Sequence, residues 1–185
     1  MGHFFFTLFA TFCLTTPSVV EEWVLFVDPS GQFEVSVPDS VTLTTTTVNT
    51  ALGDLDYVVV TSKQISGDTV VLYTVSYCDY PEGIFNRDST ELIELFFDET
   101  VAQAVESVDG SLLYNENLAY SQYYGGGHYP TRIWKIVSNK QDIHIKSKAM
   151  LVGDRYYCLQ VTSTASKSVH NSGKKFFDSF KVIEK

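Results

Sequence analysis

Tyr123-Tyr124-Gly125-Gly126-Gly127-His128-Tyr129-Pro130 is the one segment of this chain in which flexible backbone, aromatic rings and a titratable imidazole meet. Three glycines free the backbone to present amide N–H groups to an anion, and His128 among rings can titrate near neutral pH or bind a metal in its neutral form. The same composition also describes a hairpin connection, and His128 has no second ligand at a recognisable metal spacing, so neither a metal nor a cofactor is expected. The candidate ligand-binding residues are Tyr123, Tyr124, Gly125, Gly126, Gly127, His128 and Tyr129, with Arg132 just beyond and Tyr80 in a second aromatic loop, 80–86.

Little else in the chain has catalytic spacing. Gly-x-Ser-x-Gly, His-Glu-x-x-His, the phosphate-binding Gly-x-x-x-x-Gly-Lys-Ser/Thr, Gly-x-Gly-x-x-Gly and the calcium loop do not occur. His144 alternates with Ile143 and Ile145 on the set of Lys146 and Lys148, which reads as an exposed strand face; His170 could join it at a metal only if the fold brought them together. Cys78 precedes Asp79, and a carboxylate raises a thiol's pKa instead of activating it. Cys78 and Cys158 each sit in an alternating run, so in an oxidising compartment they form a candidate disulfide if their Cα atoms come within about 7 Å. Two separate buried thiols are the alternative.

Charge marks a boundary near the start. No Asp, Glu, Lys or Arg precedes Glu21, whereas the following 165 residues hold all 13 basic and 22 acidic side chains. The apolar run Phe4–Leu14 suits a signal h-region and is too short to span roughly 30 Å of hydrocarbon. Residues 1–20 are therefore expected to be a signal peptide and 21–185 a single domain in the periplasm or outside the cell. An uncleaved anchor, a lipid on Cys13 or a buried N-terminal element are the other readings, although Phe12 is bulky where the residue before a lipidated Cys is small. Membrane contact is expected only through such an uncleaved or lipidated segment. The net charge of −9 repels phosphate backbones, so nucleic acid is not an expected partner.

The elements that must position these residues follow from periodicity. Alternation of two predicts strands at Trp23–Val27, Gln32–Val37, Val41–Val48, Tyr57–Ile65, Thr69–Cys78, Ser111–Ala119, Thr131–Val137, Ile143–Val152 and Arg155–Thr162. Tight turns at Ser66-Gly67-Asp68 and Gly153-Asp154 predict mostly antiparallel pairing. A long helix is expected from a cap at Asp88 or Ser89 to Gly110, with Leu92, Ile93, Phe96, Phe97, Val101 and Val105 on its apolar stripe and Glu94, Asp98, Glu99 and Glu106 mostly solvated. A C-terminal helix over Ser166–Phe180 carries Phe176, Phe177 and Phe180, its first half interrupted by Gly173. The fold class is α+β.

This order of elements resembles the PsbP-like (Mog1/PsbP) superfamily, in particular its exported bacterial members of uncharacterised function. The resemblance rests on Gly31-Gln32-Phe33-Glu34-Val35-Ser36-Val37-Pro38, on Tyr73–Pro81 before the long helix, on Tyr129-Pro130-Thr131-Arg132 leading a strand, and on Asp154–Leu159 followed by Phe176–Lys181. It covers about Val24 to Val182 and departs from the family in Thr131, where relatives carry Gly, and in Gly125-Gly126-Gly127-His128 before it. It implies an α/β/α sandwich. Since one member is an extrinsic photosystem II subunit and another the partner of a nuclear transport GTPase, it also implies a noncatalytic binding or accessory module.

Three functions follow. The first is an exported noncatalytic module binding an envelope protein or small ligand through the loops 80–86 and 125–130. The second is an enzyme with His128 as acid/base helped by Asp79 or Arg132. The third is a structural protein tethered to a membrane by its N-terminal segment.

Overall fold

A computed structural model of the chain describes residues 22–50, 52–85, 90–121 and 129–183, with backbone alone at 119–121 and 170–172. The expected leader 1–20 lies outside these residues. All nine alternating runs form strands: β1 (Val24–Asp28), β2 (Phe33–Val37), β3 (Val41–Thr50), β4 (Gly53–Ser66), β5 (Thr69–Asp79), β6 (Gly110–Ser121), β7 (Tyr129–Ser138), β8 (His144–Val152) and β9 (Arg155–Ser163). Helix α1 (Thr90–Ser107) stands between β5 and β6, and α2 (Ser166–Ser179) follows β9 before a two-residue strand, β10 (Lys181–Val182).

Seven strands form one sheet in the order β3-β4-β5-β9-β8-β7-β6, and every neighbouring pair is antiparallel. The protein is therefore α+β with a largely antiparallel sheet. Glycine makes the tightest connections: Ser66 pairs with Thr69 and Val152 with Arg155, leaving two-residue turns whose Gly67 and Gly153 take φ of 55° and 60°. β1, β2 and β10 make a second, three-stranded sheet, so β1 pairs along its whole length with β2.

Alternation along each strand sends side chains to two faces with different covers. On one face Tyr73, Val75, Tyr77, Leu159 and Val161 pack with Phe33 and Val35 of the small sheet and with Phe176, Phe177 and Phe180 of α2. On the other, Trp134, Ile136, Ala149, Leu151 and Tyr156 pack with Ile93, Phe97 and Val101 of α1. Among the described residues no helix is long and apolar enough to cross a membrane.

Three local expectations change. The turn out of α1 is made by Asp109, whose φ is 45° and whose amide donates to Glu106 O at 3.0 Å; Gly110 already belongs to β6. A Cβ on Gly110 would lie 2.5 Å from Ile136 Cγ2, so glycine is needed there for close approach. Helix α2 runs unbroken through Gly173, which lies buried against Phe177 and Val161. Finally, the face of His144, Lys146 and Lys148 is not open strand surface, because α2 packs across β8 and covers it.

Lys148 is 9% exposed, and burial pulls its ammonium down from 10.5 to about 8 against the attraction of Asp178, with Lys146 adding a small repulsion. The unfolded chain keeps this proton up to its ordinary pKa while the folded chain releases it earlier. The cost of burying the charge is therefore complete below about pH 8 and vanishes by about pH 10.5. Wild type should gain on Lys148→Met by on the order of 3 kcal/mol across that window. Paired urea unfolding curves from pH 7 to 10.5 measure the difference, in which the tyrosines and cysteines cancel; a pH-independent difference contradicts the burial.

Candidate functional site

Helix α1 makes its closest backbone approach to β6 and β7, toward one side of the sheet, and its Phe96 reaches Tyr156 of β9. What holds it there is Arg132 on β7. Its guanidinium donates to Glu94 Oε2 at 2.5 Å and to Asp98 Oδ1 at 2.7 Å, one helical turn apart, and lies 5.7 Å over the Phe97 ring. Asn115 Oδ1 accepts a further bond at 3.3 Å, and Asn117 on β6 donates to Glu94 at 2.5 Å. A candidate ligand residue of the sequence is thus bonded within the fold, and two carboxylates of the acidic helix face, though still partly in water, hold it.

The uncovered part of the sheet leaves a cleft of about 760 Å³ between α1, the sheet and the β3–β4 hairpin. Its floor is Trp134, Ile136, Ile145, Tyr156 and Cys158, drawn from β7, β8 and β9. The helix wall is Thr100, Gln103, Ala104 and Ser107, a run at spacings of three and four. These short or polar side chains stand beside the core stripe Ile93, Phe97 and Val101 and do not fill the gap to β4 and β5. Val48, Leu52, Leu55 and Tyr57 form the opposite wall. Volume and lining both fall within the range of small-molecule sites, roughly 300–1,000 Å³ and mainly apolar with a few polar groups.

Tyr80 closes one end. Its ring meets Phe85 at 5.1 Å and Phe96 at 5.5 Å edge-on, and Phe96 meets Tyr156 at 5.4 Å. The segment carrying it is tied to the β8–β9 turn: Tyr80 N donates to Asp154 O at 2.9 Å, and the Asp154 carboxylate accepts from Gly83 N at 2.8 Å and Phe85 N at 3.1 Å. Tyr80 Oη and Tyr57 Oη are 3.0 Å apart and share a hydrogen bond. Tyr57 also hydrogen-bonds with the buried Cys78 thiol, so it is with Tyr57 donating to Tyr80 that a hydroxyl proton, that of Tyr80, is left to donate outward.

The phenols and the thiol facing the cleft are held in their neutral forms. Burial, above all, raises the phenols of Tyr57, Tyr80 and Tyr156. Burial also pushes the Cys158 thiol up to about 11, so it stays protonated at neutral pH and is a poor nucleophile. Cys78 and Cys158 do lie on neighbouring strands and on one face, but Cys78 pairs with Tyr156 and Cys158 with Ser76. That diagonal separates their Cβ atoms by about 7 Å where a disulfide needs about 4 Å. Both are buried free thiols, and the bridge the sequence allowed is not formed.

The sequence candidates divide accordingly. Tyr80 lines the cleft. Tyr129 opens β7, half-buried and paired with Ser121, and its carbonyl accepts from Thr131 at 2.9 Å. Tyr123, Tyr124, Gly125, Gly126, Gly127 and His128 lie outside the described residues. Asp79, the other helper considered for His128, is held by both Nε and Nη2 of Arg155. Tyr57, Trp134 and Tyr156 escaped the sequence reading, as did the Thr100–Ser107 wall, whose small side chains were its one available signal. Among the described residues no group of three or more His, Cys, Asp or Glu is arranged to hold a metal. Compared with known protein families and with curated proteins, the chain matches no family model and no curated sequence.

The clamp predicts an asymmetry. The Arg132 side chain is 6% exposed, whereas Glu94 and Asp98 are 40% and 61% exposed. Removing both charges in Glu94→Gln/Asp98→Asn strands a buried guanidinium and should cost roughly 3–5 kcal/mol. Arg132→Met keeps much of the apolar stem and returns both carboxylates to water, so it should cost about 1–2 kcal/mol. Chemical denaturation of the two variants measures this, and equal costs, or the reverse order, contradict the clamp.

Proposed function

We propose that the chain is an exported, noncatalytic binding module whose ligand site is the cleft beside α1. The cleft carries the reading: about 760 Å³ of mainly apolar space, with tyrosine hydroxyls at one end, on a rigid antiparallel sheet. Catalysis would need a group ready to take or give a proton, and the Cys158 thiol and the Tyr57, Tyr80 and Tyr156 phenols facing the cleft all have their pKa raised by burial. They suit hydrogen bonding better than proton transfer.

Support for export is the charge-free apolar stretch before Glu21. Support for a PsbP-like sandwich is the layering, one helix on each face of one sheet, together with the glycine-strand-proline opening at Gly31–Pro38. In this proposal the 80–86 loop adds Tyr80 to the ligand site, and an envelope protein remains a second partner through the 125–130 segment.

A neutral fluorophore that brightens in apolar surroundings, N-phenyl-1-naphthylamine, should bind saturably to the wild-type protein. Ala104→Trp places an indole from the half-buried helix wall into the space and should weaken binding at least tenfold while leaving the thermal midpoint within a few degrees. Equal binding by wild type and Ala104→Trp contradicts the assignment.

A further inference from the structure

We infer that the cleft selects uncharged amphiphiles, an apolar body ending in a hydroxyl, ether or carbonyl oxygen, and excludes their carboxylate counterparts. The inference rests on the cleft being the ligand site. Its basis is what lines the space. Among the described residues, Glu99 is the only one lining the cleft with a formal charge at neutral pH, and no Lys, Arg or His is among the described residues of the walls or floor. A carboxylate entering the cleft would lose water and meet no counter-ion, and Glu99 and the chain's net charge of −9 would repel it.

The floor already reports this penalty. The desolvation that keeps Cys158 and Tyr156 from ionising acts equally on an anion placed against them. An uncharged head meets the reverse situation. With Tyr57 donating to Tyr80, the Tyr80 hydroxyl can donate to an oxygen, and Ser147 and Gln160 supply further polar atoms along the sheet. Trp134 Nε1, buried in the floor, has no hydrogen-bond partner among the described residues. Apolar contact with Leu55, Ile136, Ile145 and Phe96 takes the body of the ligand.

The test is displacement of bound N-phenyl-1-naphthylamine from the full chain at pH 8 by dodecan-1-ol, kept below its solubility limit, and by dodecanoate, kept below its micellar concentration. The alcohol should displace the dye at a tenfold or more lower concentration than the carboxylate. Glu99→Lys should improve dodecanoate several-fold and leave the alcohol unchanged, because only the anion gains a counter-charge. Tyr57→Phe/Tyr80→Phe should weaken the alcohol about fivefold, the loss of one hydrogen bond. Dodecanoate binding as well as the alcohol, or Glu99→Lys failing to improve it, overturns the selectivity. Failure of the dye itself to bind at a site that Ala104→Trp blocks overturns the cleft assignment, a different result.

Discussion

One guanidinium sets the geometry of this protein. A helix crossing a wide antiparallel sheet can sit anywhere along the strand order that buries its apolar stripe. Here Arg132 of β7 fixes the choice by bonding Glu94 and Asp98 on successive turns of α1. The pair of carboxylates spaced by four and the single buried cation form a lock that apolar packing alone could not supply, since dispersion and burial are not directional. With α1 anchored over β6 and β7, the same face of β4 and β5 is left to smaller cover, from Tyr57 and Tyr80 at one end and the β3–β4 hairpin at the other. The cleft is the consequence.

Its chemistry follows from its walls. The sheet floor is as apolar as the buried core it continues, and α1 turns Thr100, Gln103, Ala104 and Ser107 toward the space. Long apolar side chains at those positions would close it and recover burial energy, about 25 cal/mol per Å². The hydroxyl pair of Tyr57 and Tyr80 lies at one end, placed by strand β4 and by the Asp154 carboxylate that ties the 80–85 segment to the β8–β9 turn. Thiol and phenols stay neutral in these surroundings, so whatever enters meets hydrogen-bond donors and acceptors and, among the described residues, the single charge of Glu99.

The strands were legible in the sequence because period-two alternation and Gly-Asp turns are local. The pairing order was not, since β5 neighbours β9 across an intervening helix and three strands. That order makes the cleft: Tyr57, Trp134 and Tyr156 are far apart in the chain and meet only once β4, β7 and β9 share a sheet. Tyr80 was readable as an aromatic loop residue. Arg132's part in the clamp was not legible, because nothing local reveals that Glu94 and Asp98, more than thirty residues earlier, face it. Lys146 and Lys148 were misread as solvent-facing for a similar reason: alternation with Ile145 and Ala149 marks two faces but does not say that α2 covers one of them. The diagonal offset of Cys78 and Cys158 belongs to the register, which the sequence does not fix.

The central claim is that the space beside α1, and not another apolar surface, takes the ligand. Nuclear Overhauser contacts between dodecan-1-ol and isotope-labelled protein test it directly. The account predicts contacts from the alkyl chain to the Ala104 methyl, the Ile136 methyls and the Trp134 ring. Contacts confined to Val24, Leu25 and Val27, the exposed apolar side chains of β1, would contradict it.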